Sequence, residues 1–187
     1  MTTRTPTDPS RRLEQIAALH WVGESGEAEL YTLLRLREAT ARAAAALAAA
    51  GVRSGDPVEV FLPTLPESVV TALACERLGA RAVLPDEGFS ARSLRQRVRA
   101  DGARVVVTAD AAEVGGATLP LKSLVDRALR GCARINAVLV VQLTARPVGW
   151  TPGRDRWWDQ ALAESGSEQR RSRMVLASAT SSSSNSF

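Results

Sequence analysis

Apolar residues alternate between two textures along this chain. Leu36, Thr40, Ala43, Leu47 and Ala50 recur at three- and four-residue steps, the period of one helix face. The short apolar run LYT (30–32) precedes them as a strand. Thr32 is placed to cap the helix and Gly51 to stop it. A turn then leads into a β-rich run from Val58 to Leu62, closed by Pro63. The pattern repeats: Pro66 opens a helix that turns Val69, Leu73 and Leu78 inward and stops at Gly79. RAVLP (81–85) reads as a short strand, and Ser90 caps a helix over SARSLRQRVRADGA. RVVVTAD (104–110) and AVLVVQLTA (137–145) are continuous apolar runs, as strands covered on both faces require, and a helix LKSLVDRALRGC lies between them.

About four strand–helix alternations predict an α/β fold: a partial doubly wound sheet, mostly parallel, with helices on both faces. The expected organisation is a flexible lead-in over 1–27, an ordered domain over 28–163, and a disordered Ser/Arg-rich tail over 164–187. Between the last strand and the tail, VGWTPGRDRWWDQALAES is turn-rich and ends in a short amphipathic helix.

Composition narrows the chemistry. The chain has 187 residues, enough for one ordinary domain with a core. Aromatics make up only 4%, so alanine, valine and leucine carry most of the packing. The net charge is +4 and 23 of the 24 basic residues are arginine, Lys122 being the single lysine. With the alanine runs, that bias reads as a GC-rich coding signature. The positive charge is spread along the chain without interleaved aromatics, which argues against specific nucleic-acid binding. Arg92, Arg95 and Arg99 share one helix face, with Arg97 and Arg104 to the sides, and the expectation is a solvated face.

Cys75, Cys132 and the only histidine, His20, cannot build a zinc site at any usual spacing. The thiols are expected to be buried or partly buried in a reducing cytoplasm. No nucleophile elbow accompanies His20, so a Ser/His/Asp hydrolase is not supported. The opening MTTRTPTDPSRRLEQ has no apolar core of a secretory signal, and no apolar run is long enough to span a membrane.

Five collinear stretches are more specific than their parts. GVRSGDPVEVFLPTLPE (51–67) resembles the G-V-x-x-G-D-x-V-x-x-x-x-P-x-x-P-E run of the AMP-forming acyl-CoA synthetases, in the adenylate-forming superfamily. ALACERLGA (72–80), GFSARSLRQRV (88–98) and VVVTAD…LPLKSLVDRAL (105–129) are similar to the segments that follow. VGWTPGRDRWWDQAL (148–162) resembles the element that marks the acetyl-CoA synthetase branch.

The resemblance implies the N-terminal portion of the AMP-binding synthetase large domain. That family joins acetate to ATP, releases pyrophosphate, and passes the acyl group to CoA, using Mg. It adenylates with a T-S-G-[ST]-T-G-x-P-K-G loop, later motifs and a C-terminal lysine, none of which has a counterpart here. The implied reading is a truncated, inactive segment with no catalytic residue, metal or cofactor of its own. By resemblance Gly88 falls near the CoA adenine. The arginines that reach the CoA phosphates are replaced by Val114 and Ala117, with Glu113, Asp86 and Glu87 adding the wrong sign. The serine run 178–187 has neither glycine nor lysine and makes no phosphate loop.

Trp157 and Trp158 are expected to pack under the sheet, with Arg154 and Asp155 fixing their turn. The rival reading is an interaction module that self-associates or docks on a full-length synthetase, through apolar surface left uncovered.

Overall fold

The structure, a computed structural model, describes residues 17–23, 26, 28–85 and 88–167. Residues 168–187 of the expected tail, most of the N-terminal lead-in, Asp86 and Glu87 lie outside the described residues, whereas 164–167, expected to be disordered, are helical with Ser165 buried. Strands β1 (Ala17–Val22) and β2 (Ala28–Thr32) form an antiparallel hairpin. Helix α1 (Leu33–Ala49) follows, then β3 (Pro57–Phe61), α2 (Pro66–Leu78), β4 (Arg81–Val83), α3 (Ala91–Asp101) and β5 (Val105–Ala109). A small hairpin of β6 (Ala112–Val114) and β7 (Ala117–Leu119) precedes α4 (Leu121–Leu129) and β8 (Ala137–Val141). Strand β9 (Asp155–Trp157) leads into α5, residues 158–167.

Five strands make one parallel sheet in the order β4-β3-β5-β8-β9. Every residue of β5 and β8 is buried, so both sheet faces are covered. Helices α1 and α2 pack on each other, as do α3 and α4. The alanine run has a packing consequence beyond codon bias. Ala39, Ala43, Ala44 and Ala46 are buried, and only such small side chains let α1 and α2 approach closely. The expected caps are present: Thr32 Oγ1 accepts from Arg35 N (3.2 Å) and Ser90 Oγ from Ser93 N (3.1 Å). Gly79 ends α2 in the left-handed region (φ 67°), as its position foretold.

Three further expectations need correction. The lead-in over 1–27 is not wholly flexible, because Ala17–Val22 is a strand whose partner β2 turns out longer than LYT. The hairpin β6–β7 interrupts what the pattern joined directly, strand 104–110 to the helix beginning at Leu121. Helix α2 also buries a different face. Val70, Thr71, Ala74 and Cys75 face the core, whereas Val69, Leu73 and Leu78 are only half-buried. Val69 and Leu73 stand instead on a cleft wall.

Glu59 of β3 is fully buried and ion-paired with Arg97 of α3 (Nε to Oε2 3.1 Å). Its Oε1 finds no hydrogen bond among the described residues. Burial pushes the Glu59 carboxyl up to about 7, and the Arg97 charge offsets only part of that. The folded state therefore holds the proton more tightly than the unfolded chain does. The stability that Glu59 contributes is greatest below the ordinary value of 4.5 and is lost as pH rises toward about 7. The loss is of the order of 3 kcal/mol at most. Glu59→Gln is expected to flatten this slope. Urea midpoints measured from pH 5 to pH 8 check it, and an unchanged slope would contradict the assignment.

Candidate functional site

The strand order reverses between β3 and β5. From β3 the chain crosses to β4 on one side, then returns past β3 to β5 and β8 on the other. The connections leaving β3 and β5 diverge there and open a crevice beyond the carboxyl ends of the strands, the usual ligand position in open α/β sheets. A cleft of about 990 Å³ occupies it. Leu62–Leu65 after β3 and Val69 and Leu73 of α2 form one wall. Leu84, Pro85, Gly88 and Phe89 form a second, and Ala112–Val114 of β6 with Leu143 and Thr144 after β8 a third. Trp21–Gly23 close one end, where Trp21 Nε1 donates to the Thr64 carbonyl (2.7 Å) and ties the β1–β2 hairpin over the cleft. Phe89 meets Phe61 edge-to-face, ring centroids 5.1 Å apart.

Gly88 thus stands on the cleft wall, beside the segment that carries Glu113 and Val114. Its φ of 77° is the left-handed conformation that favours glycine, although the space around it is open. Glu113 accepts a hydrogen bond from Thr118 within the hairpin, and Ala117 pairs with Val114 in register without reaching the cleft wall. Among the described residues, no lysine or arginine lines the cleft. Its chemistry does not fit a polyphosphate: among the described residues, the one ionisable side chain on the wall is a carboxylate, that of Glu113.

Two buried charge clusters fix the loops around the sheet, the first of them at the cleft wall. Asp110, at the end of β5, is 1% exposed and gathers the loop after β8. Its Oδ1 accepts from Ala111 N (2.8 Å) and Leu143 N (2.9 Å). Its Oδ2 accepts from Thr144 N (3.1 Å), Thr144 Oγ1 (3.0 Å) and Arg146 N (3.1 Å). Burial would raise this carboxyl, but the converging donors of Leu143, Ala111 and Thr144 outweigh it and hold it low. The loop so fixed includes Ala145 at a φ of 54°.

The second cluster was not legible as such. Lys122 is fully buried, and its Nζ donates to Asp126 (2.8 Å to each oxygen), Asp155 Oδ2 (2.9 Å) and the Gly149 carbonyl (2.9 Å). Arg154 completes it, with Nε on Asp155 Oδ1 and Nη2 on Asp126 Oδ1, both at 2.6 Å. Two cations and two carboxylates therefore clasp the 149–155 segment to α4. The available signals were a lone lysine among arginines and the four-residue spacing of Lys122 and Asp126. The expectation that Arg154 and Asp155 fix the tryptophan turn is met: Asp155 Oδ2 also accepts from Thr151 N (2.8 Å). Trp158 is buried, and Trp157 stacks on Trp150 at 4.8 Å.

The arginine stripe is a solvated face. Arg92, Arg99 and Arg104 are exposed, and Arg95 Nη2 donates to the Arg127 carbonyl (2.6 Å). Both cysteines are free, Cys75 buried and Cys132 half-buried. Burial pushes the Cys75 thiol up to about 11, which leaves it unreactive as a thiolate. His20 is exposed on β1. No cluster of potential metal ligands occurs among the described residues, and none of their helices is long and apolar enough to cross a membrane.

Sequence and structure comparisons agree with this geometry. The chain is 40% identical over 148 residues to the acetyl-coenzyme A synthetase of Halorhodospira halophila, covering 79% of itself and 23% of that relative. It is 39% identical over 160 residues to the acetyl-coenzyme A synthetase 2 of Pseudomonas putida, covering 85% of itself and 25% of the relative. The solved acetoacetyl-CoA synthetase from Streptomyces lividans superposes with a TM-score of 0.72 and 29% identity, over 82% of this chain and 23% of that one. The chain spans about a quarter of the length of these relatives. The model of the AMP-binding enzyme family matches residues 8–178, and the chain belongs to that family.

Proposed function

We propose that these 187 residues form the first part of the large domain of an acetyl-CoA synthetase-like ligase and have no adenylating activity by themselves. The observation that carries this reading is the cleft. It occupies the ligand crevice of the sheet, yet no cation lines it among the described residues, and Val114 stands where the family resemblance places a phosphate-binding arginine. ATP, Mg and CoA are thus taken by a longer assembly and not by this segment alone. Gly88 supports the mouth of such a site through its backbone conformation. Two free thiols suit a cytoplasmic setting.

Acetate-dependent ATP–pyrophosphate exchange measured on the purified chain tests the reading. The expected rate equals that of the buffer, and a rate clearly above it would refute inactivity. A second reading, docking on a full-length synthetase or another copy, draws on apolar side chains outside the cleft. Leu30 is 52% and Trp150 40% exposed. Sedimentation that shows a single monomeric species, alone and with a full-length synthetase, counts against docking.

A further inference from the structure

We infer that the cleft between the β3 and β5 connections binds an uncharged apolar ligand and discriminates against phosphate-bearing ones. Topology makes it a ligand crevice, since the strand order reverses there and two connections part. Crevices of this kind take phosphates through a glycine-rich turn and the free N–H groups of a following helix. Neither is present. The turn from β3 into α2 reads Leu62-Pro63-Thr64-Leu65-Pro66, with no glycine and two prolines that carry no N–H. Leu65 N donates to Ser68 Oγ (3.1 Å) and Ser68 N to the Leu65 carbonyl (3.1 Å), so both amides are used within the turn. On the other side β5 runs into a hairpin instead of a helix, and Ala111 N is held by Asp110.

Three polar side chains of the wall are engaged as well. Ser68 Oγ donates to the Leu65 carbonyl (2.7 Å), Thr144 Oγ1 to Asp110, and Glu113 accepts from Thr118. What faces the space is apolar: Val69, Leu73, Leu84, Phe89, Val114 and Leu143. Leu84 and Leu143 remain 52% and 38% exposed, apolar surface that an apolar occupant would cover. A phosphate entering here would lose water, find no cation among the described residues, and approach the Glu113 carboxylate. The ligand choice is that of the cleft as these 187 residues form it by themselves.

Displacement of the neutral dye Nile red from the full chain tests this. The probes are 1-decanol and decyl phosphate below their aggregation concentrations. They share a chain and differ in the charged group. Decanol is expected to displace the dye at concentrations lower by about tenfold or more. L84D and L143D, at positions 52% and 38% exposed and with folding checked by circular dichroism, are expected to weaken dye and decanol binding roughly fivefold. L30D, on the exposed face of β2 and away from the cleft, is expected to leave both unchanged. Equal potency of the two probes overturns the inference, as does the absence of decanol displacement. So does a loss in L30D equal to that in L84D, which would make the dye a reporter of general apolar surface. Wild-type binding in both cleft variants would also overturn it.

Discussion

Lys122→Met is expected to destabilise the domain by about 3–5 kcal/mol, the cost of removing one partner from a buried charge cluster. The ammonium is fully buried and serves three acceptors: the Asp126 carboxylate, Asp155 and the Gly149 carbonyl. Without it, Asp155 and Asp126 share Arg154 alone, and a net negative charge stays buried. The pairing holds Asp155 low, because burial is outweighed by the Arg154 and Lys122 contacts. Its contribution is therefore present above the ordinary carboxylate range and is lost as pH falls through the depressed value. Denaturant unfolding at neutral pH measures the loss. The double variant K122M/D155N should be less destabilised than the sum of its singles, since it restores neutrality. Strict additivity would mean that the two groups do not interact.

Asp110→Ala is expected to cost roughly 3 kcal/mol, from charge-assisted hydrogen bonds lost and buried donors left unpaired. Leu143 N, Thr144 N and Arg146 N all end on this carboxylate. The loop from Gln142 to Arg146 carries Leu143 and Thr144 onto the cleft wall, so its release alters the cleft as well as stability. Asp110→Asn keeps one acceptor but turns the other position into a donor facing N–H groups, and should lie between wild type and Asp110→Ala. The carboxyl is held low, so its stabilisation is present above the ordinary aspartate range and is lost as pH falls through the depressed value. Thermal unfolding from pH 3 to pH 7 reads this. A D110A variant with the wild-type acid limb would contradict the role given to this carboxylate.

These two carboxylate clusters are also where sequence reasoning fell short. Asp110 closes an apolar run, and nothing nearby in sequence shows that its donors arrive from residues more than 30 positions later. Lys122 stood out by rarity, but its pairing with Asp155 requires α4 and β9 to be brought together by the sheet. Gly88, read from a family motif, does stand on the cleft wall, and Val114 stands there too. Ala117, read from the same motif, falls on the far strand of the hairpin and not on the wall. Helix α2 shows the limit most plainly. Its periodicity admits two apolar faces, Val69–Leu73 and Val70–Ala74–Cys75, and only packing against the rest of the fold chooses between them.

The sequence by itself determined the alternation of buried strands and capped helices, because those signals are local. Thr32, Ser90 and Gly79 act within a turn of their own helix, and a fully apolar strand can satisfy only a doubly covered sheet. It also determined family membership, through five collinear motifs. Tertiary structure alone decided which helix face meets the core, where the buried charges find partners, and that the ligand crevice is apolar. Each of these depends on groups distant in sequence that the sheet order brings within a few ångströms, where burial makes pairing or its absence decisive.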